Sequence, residues 1–127
     1  MFSVGIDTTE CRRMERAMKN LHFVSRVFGP SEQKLLQERG FPNTGNRRWI
    51  ETAAAAFCAK EAFGKAMGTG IRGFRLCEVE LLRNESGAPY LHLSGAAAEL
   101  ARGWNLAVSA THTREYASVV ILAEKES

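Results

Sequence analysis

Three charged side chains, Asp7, Glu61 and Lys65, have the types and spacing that phosphate chemistry requires. Asp7 follows a short apolar run, and Glu61 and Lys65 stand four residues apart, so that on a helix they share one face. Mg²⁺ takes one or two protein carboxylates and fills its other positions with water and phosphate oxygens. If the fold brings Asp7 to Glu61, these carboxylates suffice for a magnesium site, and Lys65 adds a cation for a phosphate.

The same residues have structural interpretations that the sequence leaves open. Asp7 is followed three residues later by Glu10, which is the capping-box pattern, so Asp7 could cap a helix. Glu61 and Lys65 could form an exposed ion pair, worth about 0.2–0.5 kcal/mol at this spacing. His112 lies between two predicted strands and could be a loop histidine instead of a catalytic one.

Basic residues form two further groups that could bind anions. Arg47 and Arg48 are adjacent, an arrangement suited to a phosphate. The other group stands mostly on the first predicted helix and is either a solvated face or a docking surface for an acidic partner. Its members are Arg12, Arg13, Arg16, Lys19 and Arg26. The net charge is +3, from 17 Lys and Arg against 14 Asp and Glu, and does not by itself indicate a nucleic-acid partner.

Gly68, Gly70 and Gly73 match G-x-G-x-x-G, but their context does not fit a dinucleotide fingerprint. Such a fingerprint follows a strand and opens a helix. This segment follows a predicted helix and leads to a strand. We therefore interpret its glycines as a helix end whose backbone can approach a ligand closely.

The elements that must position these residues are predicted from hydrophobic periodicity, capping and turn residues. Strands are predicted at residues 2–6, 77–82, 89–93, 106–110 and 116–123, and helices at 9–20, 31–40, 48–67 and 94–102. Ser31 and Ser94 are the expected caps of two helices, and Gly68 ends the longest one. This order predicts one α+β domain over residues 1–127, with a mostly antiparallel sheet packed against a long central helix.

Composition indicates an ordinary globular domain. The 127 residues are 45% hydrophobic and 24% charged, and no apolar run approaches the roughly 18–20 residues that cross a bilayer. The cysteines, Cys11, Cys58 and Cys77, are odd in number and far apart, so we expect free thiols in a reducing cytoplasm. The first residues lack the regions of a signal peptide, and we predict no membrane association.

Residues 57–70 carry the longest motif of the chain, FCAKEAFGKAMGTG. It resembles F-x-x-K-E-A-x-x-K-A-x-G-T-G, the signature of holo-acyl-carrier-protein synthases, the small bacterial 4′-phosphopantetheinyl transferases. Four further blocks resemble that family in its own order. They are residues 5–7 (G-x-D), 23–32 (F-x-x-R-x-[FL]-x-x-x-E), 87–89 (G-x-P) and 108–117 (V-S-x-[TS]-H with a following Tyr-Ala). The resemblance covers essentially the whole chain.

The resemblance implies a 4′-phosphopantetheinyl transferase-like fold and an enzyme of fatty acid biosynthesis. Such enzymes transfer the 4′-phosphopantetheine arm of coenzyme A to a serine of an apo acyl carrier protein, need Mg²⁺ and release adenosine 3′,5′-bisphosphate. Asp7 and Glu61 would be the metal ligands, and Lys65 would meet the pyrophosphate. Catalytic roles are implied for Asp7, Glu61, Lys65 and His112. Coenzyme contacts are implied for Arg47, Arg48, Lys60, Gly64, Lys65, Gly68, Thr69, Pro89, His112 and Thr113.

The resemblance also implies partners. The family is typically a homotrimer with sites between protomers, and its carrier protein is acidic. The residues expected to face the carrier are Arg13, Arg16, Lys19 and Arg26. Many family members have arginine where this chain has Ala56, so one coenzyme phosphate contact is missing or is supplied elsewhere, with Arg47 as a candidate.

The sequence leaves two matters open. The acceptor of the serine proton is Glu61, Asp7 or a water that they position. Two other functions remain as alternatives: a coenzyme-A-binding homologue without transferase activity, and a basic nucleic-acid-binding domain. The second is disfavoured because the strands offer few aromatic side chains for stacking, namely Tyr90 and Tyr116.

Overall fold

The computed structural model describes residues 1–126, which form five strands, five α-helices and one short 3-10 helix. In chain order these are β1 (Phe2–Glu10), α1 (Cys11–Ala17), α2 (Leu21–Val27), α3 (Pro30–Glu38), α4 (Arg48–Met67), the 3-10 helix Leu76–Glu78, β2 (Val79–Arg83), β3 (Pro89–Leu93), α5 (Gly95–Leu100), β4 (Asn105–His112) and β5 (Tyr116–Glu124). Antiparallel strands in the order β1-β5-β4 make one sheet, and β2 and β3 make a separate hairpin. The predicted α+β class is confirmed, with the strands divided between two sheets.

Helix α4 packs against the inner face of the three-stranded sheet. On β5 the buried residues Val119 and Ile121 alternate with more exposed neighbours, as expected for a strand with one face on the core. The buried face of α4 is rich in alanine, whose short side chain lets a strand come close. β1 packs tightly against α4 at Gly5, where an added Cβ would lie 1.9 Å from the carbonyl oxygen of Ala62. This contact brings the second half of β1 against the second half of α4.

The helix predicted at residues 9–20 is wrong at its start. β1 continues to Glu10 because β5 supplies a partner at each position, with Asp7 opposite Val119 and Glu10 opposite Tyr116. Asp7 therefore lies inside a strand and caps no helix. The structure thus excludes the structural interpretation of Asp7 that its spacing to Glu10 left open.

The same predicted helix also ends earlier than expected, at Ala17, and a separate helix, α2, begins at Leu21. Asn20 caps α2, because its side-chain oxygen accepts hydrogen bonds from the backbone N–H groups of His22 at 2.9 Å and Phe23 at 3.3 Å. The sequence analysis missed this cap and the helix that follows it. The expected cap Ser31 is also wrong, since Gly29 takes the N-cap position and Pro30 begins α3.

The other predicted elements are confirmed with shifted ends. α4 has the predicted bounds and ends at Gly68, whose φ of +78° is left-handed. β2 begins two residues later than predicted, because Leu76–Glu78 forms the 3-10 helix. Ser94 holds the N-cap position of the shortened α5, without a side-chain hydrogen bond. Within residues 1–126, no helix combines the length and apolar character that a membrane crossing needs.

Candidate active site

Asp7 and Lys65 meet where β1 passes the last turns of α4. The Lys65 ammonium donates to Asp7 Oδ1 at 3.2 Å and to the backbone oxygen of Ile6 at 2.9 Å. The Asp7 side chain is 14% exposed and that of Lys65 is 54% exposed. The pair therefore lies at an opening to solvent that a ligand can reach.

Glu61 completes this group from one turn earlier on α4. Burial raises the pKa of the Glu61 carboxyl, the charge of Asp7 raises it further, and Arg13 and Lys65 lower it. Two carboxylates close enough to repel each other form a negative site that a cation would stabilise. Residues 1–126 contain no group of three or more potential ligands among His, Cys, Asp and Glu. A carboxylate pair fits Mg²⁺, which binds through one or two carboxylates together with water and phosphate oxygens.

Two uncharged side chains, those of Thr9 and Cys58, lie near the carboxylates of this site. Thr9 Oγ1 donates to Asp7 Oδ2 at 3.5 Å, and the buried Cys58 thiol donates to the carbonyl oxygen of Ala117 at 3.2 Å. Burial, together with the charges of Asp7 and Glu61, raises the pKa of Cys58 to about 11. Cys58 is thus a protonated thiol at neutral pH and unsuited to nucleophilic attack.

The glycine-rich segment after α4 folds back onto the helix beside Lys65. The backbone N–H groups of Thr69 and Gly70 both donate to the carbonyl oxygen of Gly64 at 3.0 Å. An added Cβ at Gly64 would lie 2.0 Å from the carbonyl oxygen of Gly70, so the loop can pack here only against a glycine. Gly68, Thr69 and Gly70 therefore lie next to the opening formed by Asp7, Glu61 and Lys65.

Lys60 is not part of this opening, and the coenzyme contact predicted for it is wrong. The side chain of Lys60 is fully buried, and its ammonium donates to Glu32 Oε1 at 2.6 Å and to the carbonyl oxygen of Val79. One residue along a helix is a rotation of about 100°, so the neighbour of Glu61 points away from the site. Lys60 instead joins α4 to α3 and β2.

A second group of the predicted site residues lies near the other end of α4. His112 Nδ1 is 3.3 Å from Glu51 Oε2, and both residues line a cavity of about 190 Å³ together with Arg48. Glu51 precedes Glu61 by ten residues, which is about 15 Å along the helix axis. Within one chain, His112 and Arg48 are thus separated from Asp7, Glu61 and Lys65.

The remaining predicted coenzyme residues occupy other places. Arg47 donates to the carbonyl oxygen of Arg114 at 3.0 Å and lines a different cavity, of about 460 Å³. Thr113 Oγ1 accepts a hydrogen bond from the backbone N–H of Tyr116 at 3.1 Å and so stabilises the β4–β5 turn. Pro89 lines a groove of about 570 Å³ beside Trp104. One chain does not gather all the predicted residues around a single cavity.

One of the predicted carrier-facing residues, Arg13, lies near the carboxylate site. Arg13 is close enough to Glu61 to lower its pKa, although burial and Asp7 outweigh this effect. Exposed positions on α1, on α2 and between them carry the rest of the group, namely Arg12, Arg16, Lys19 and Arg26. At Arg13 this basic group therefore comes close to the carboxylates.

Arg39 and Arg83 are residues that the sequence analysis missed. They join Arg48, Glu51 and His112 around the cavity of about 190 Å³. No local pattern could indicate them, because one follows α3 and the other ends β2. Ala56, the departure from the family motif, is buried and does not line this cavity.

Comparison with known proteins agrees with this architecture. The model of the 4′-phosphopantetheinyl transferase superfamily matches residues 3–120. The holo-[acyl-carrier-protein] synthase of Clostridium beijerinckii is 37% identical over 98% of this chain and 98% of its own length. That of Fusobacterium nucleatum is 32% identical over 96% of this chain and 98% of its own. The chain therefore belongs to the 4′-phosphopantetheinyl transferase superfamily.

A solved structure supports a narrower assignment within this superfamily. A holo-(acyl-carrier-protein) synthase from Bacillus anthracis, in complex with coenzyme A (3′,5′-ADP), superposes with a TM-score of 0.80 at 27% identity, covering 98% of this chain and 96% of that one. Together with the two relatives, it assigns the chain to the holo-acyl-carrier-protein synthases, which are transferases.

Proposed function

We propose that this chain transfers the 4′-phosphopantetheine arm of coenzyme A to a serine of an apo acyl carrier protein, with Mg²⁺ as cofactor and adenosine 3′,5′-bisphosphate as product. The observation that carries the proposal is the juxtaposition of Asp7, Glu61 and Lys65 at one opening. The structure of the Bacillus anthracis relative in complex with coenzyme A supports the choice of donor.

The residue types suit attack on a pyrophosphate. Asp7 and Glu61 would hold Mg²⁺, which when bound supplies positive charge to phosphate oxygens. Lys65, exposed beyond Asp7, can donate to an oxygen of the phosphate that is attacked and stabilise charge as it develops there. The nucleophile is the carrier's serine, so the enzyme needs none of its own. Glu61 and Asp7 are the candidate acceptors of the serine proton, directly or through a water.

The basic surface of α1 and α2 supports an acidic carrier as the partner. Arg13 lies close to Glu61, so a carrier bound there would place its serine near the carboxylates. Opposite charges accelerate association and make it sensitive to salt. We expect Arg16→Glu to raise the KM for the carrier several-fold at low salt and to leave the KM for the coenzyme unchanged. An equal rise in both would contradict this docking surface.

We also propose that three copies assemble with sites between them, as the family resemblance implies. The outer face of the three-stranded sheet exposes apolar side chains, including Phe2 (68%), Val4 (60%) and Ile6 (61%). Exposed apolar patches of this kind commonly mark protein interfaces. Because Ile6 precedes Asp7, a neighbouring copy on this face would border the carboxylate site.

The assembly is tested by measuring mass in solution. Native mass spectrometry of the unaltered chain should show three copies, and Ile6→Glu should give monomers. Leu21→Glu is the matched control, because Leu21 is 71% exposed on α2, away from the sheet. A monomeric unaltered chain, or assembly that survives Ile6→Glu, would contradict the proposed interface.

The reaction itself is tested by intact-mass spectrometry of an apo acyl carrier protein incubated with the enzyme, coenzyme A and Mg²⁺. The carrier should gain one phosphopantetheine arm, and EDTA should prevent this. Coenzyme binding without transfer to several carriers would favour the non-transferring homologue. A cytoplasmic location belongs to the same proposal and is supported by the free cysteines Cys11, Cys58 and Cys77.

A further inference from the structure

Four polar or charged residues are buried in the described part of the chain, and three of them form one network. Glu32 accepts a hydrogen bond from Lys60 and donates its backbone N–H to Glu80. The fourth is Thr9 on β1, which is 4% exposed and takes no part in that network. Because buried polar groups are nearly always hydrogen-bonded, the partner of this hydroxyl indicates what the residue does.

The Thr9 hydroxyl lies between the Asp7 carboxylate and the Cys58 thiol. Asp7 and Thr9 share one face of β1, because residues two apart on a strand point the same way, and Thr9 Oγ1 is 3.5 Å from Asp7 Oδ2. Burial raises the pKa of Cys58 to about 11, whereas a hydrogen bond with the Thr9 side chain lowers it. The thiol donates its own proton to the carbonyl oxygen of Ala117, and sulfur is a weak acceptor. The proton of the Thr9 hydroxyl is therefore directed to the carboxylate.

The two oxygens of Asp7 consequently have different surroundings. Oδ1 lies 3.2 Å from the Lys65 ammonium at the opening to solvent, and Oδ2 faces the buried Thr9. A distance of 3.5 Å exceeds the roughly 2.7–2.8 Å of an ordinary O–H···O bond, so the carboxylate can turn further towards Thr9 when Oδ1 binds a cation. Carboxylates that bind metals are commonly oriented by such a hydrogen bond.

We propose that Thr9 is a positioning residue of the metal site, whose hydroxyl holds Oδ2 of Asp7 and so presents Oδ1 as the ligand. This inference rests on the proposed function, in which Asp7 and Glu61 hold Mg²⁺. Without the hydroxyl, the carboxylate must be ordered by the cation itself, which weakens binding. Thr9 touches neither coenzyme nor carrier in this role, so its effect belongs to cation affinity and not to kcat at saturating Mg²⁺.

The test measures cation binding without turnover. The probe is Mn²⁺, which suits the same oxygen ligands as Mg²⁺ and whose free ion is followed by electron paramagnetic resonance. Thr9→Val should weaken Mn²⁺ binding about tenfold, the lower end of the effect of such partners, and Thr9→Ser, which keeps the hydroxyl, should restore it. Thr8→Val is the matched control, because the Thr8 hydroxyl pairs with Ser118 Oγ at 2.9 Å on the opposite face of β1.

The transfer assay adds a second measurement. Thr9→Val should move the Mg²⁺ titration of the rate about tenfold higher and leave kcat at saturating Mg²⁺ unchanged, which also shows that the variant is folded. A lower kcat at saturating Mg²⁺ with unchanged cation affinity would overturn the positioning role.

Other outcomes would also overturn the inference. They are unchanged Mn²⁺ binding by Thr9→Val, an equal loss in Thr8→Val, and a loss that Thr9→Ser does not recover. Asp7→Asn separates this inference from the proposed function, because it should abolish Mn²⁺ binding. If Asp7→Asn loses Mn²⁺ and Thr9→Val does not, only the role of Thr9 fails. If both variants lose affinity but the unaltered chain transfers nothing, the proposed reaction fails and the role of Thr9 is retained.

Discussion

The buried pair of Lys60 and Glu32 allows a sharp prediction about stability. Lys60 is fully buried and Glu32 is 2% exposed. The Glu32 carboxylate accepts from Lys60 at 2.6 Å and from the backbone N–H groups of Gly29 at 3.1 Å and Leu81 at 2.9 Å. Lys60→Met keeps most of the side-chain volume but leaves this carboxylate without its cation, and also removes a donor from Val79.

The expected loss follows from these contacts. Removing one partner of a buried ion pair costs about 3–5 kcal/mol, because an uncompensated charge stays buried. For a domain of this size each kcal/mol shifts the Tm by about 3–5 °C, so we expect a fall of roughly 10–25 °C. Adding Glu32→Gln to Lys60→Met removes the buried charge and keeps one of the two acceptor oxygens, so that one of the backbone N–H groups of Gly29 and Leu81 keeps its acceptor. The lost neutral hydrogen bond costs less than an unpaired buried charge. The double variant should therefore be more stable than Lys60→Met alone.

The loss should also depend on pH. Burial raises the pKa of Glu32, whereas Lys60 lowers it. Burial outweighs Lys60, so the pKa of folded Glu32 is raised even in the unaltered protein. Without Lys60 the folded-state pKa lies further above the unfolded value of about 4.3, so the carboxyl is protonated more readily in the folded state. Stability is then fully present below that value and falls as pH rises to the folded-state pKa, by up to about 1.4 kcal/mol per pH unit. The destabilisation by Lys60→Met should be smaller at pH 5 than at pH 8.

Urea unfolding of the unaltered protein, Lys60→Met, Glu32→Gln and the double variant, at pH 5 and at pH 8, measures these effects. Lys34→Met is the control for losing a lysine, since Lys34 is exposed on α3. The reasoning is refuted if Lys60→Met is no less stable than Lys34→Met. It is also refuted if the effects of Lys60→Met and Glu32→Gln simply add, because additivity would mean that the two residues do not interact.

Three further predictions concern the site. Lys65→Met should lower kcat by about 10²–10³-fold when transfer to the carrier protein is followed by mass spectrometry, as expected for one group that stabilises developing charge. A change in the KM for the coenzyme alone would contradict this role. Glu61→Gln should weaken Mg²⁺ binding, so the Mg²⁺ titration of the rate should move to higher concentration; an unchanged titration would contradict metal binding by Glu61. Gly64→Ala should displace the loop at Gly70 and raise the coenzyme KM, whereas Gly45→Ala, where an added Cβ meets one side-chain atom at 3.3 Å, should leave it unchanged.

The local pattern of the sequence was enough to predict the main elements. The α4 helix, its end at Gly68 and the hairpin that follows it are encoded by neighbouring residues, which is why their types were predicted and confirmed. The local pattern of the sequence also places Glu61 and Lys65 on one helical face. The helices between residues 9 and 29 were not predicted correctly, because the partners that β5 offers to β1 extend the strand to Glu10.

Tertiary structure alone decided which charged residues meet. Asp7 reaches Lys65 across 58 positions because Gly5 lets β1 contact α4. Lys60 and Lys65 belong to one motif, yet the packing of α3 and β2 over one face of α4 buries the first and leaves the second exposed. Burial and long-range pairing depend on the whole fold, so the residue types determined the chemistry available to this protein, and the packing determined where that chemistry can occur.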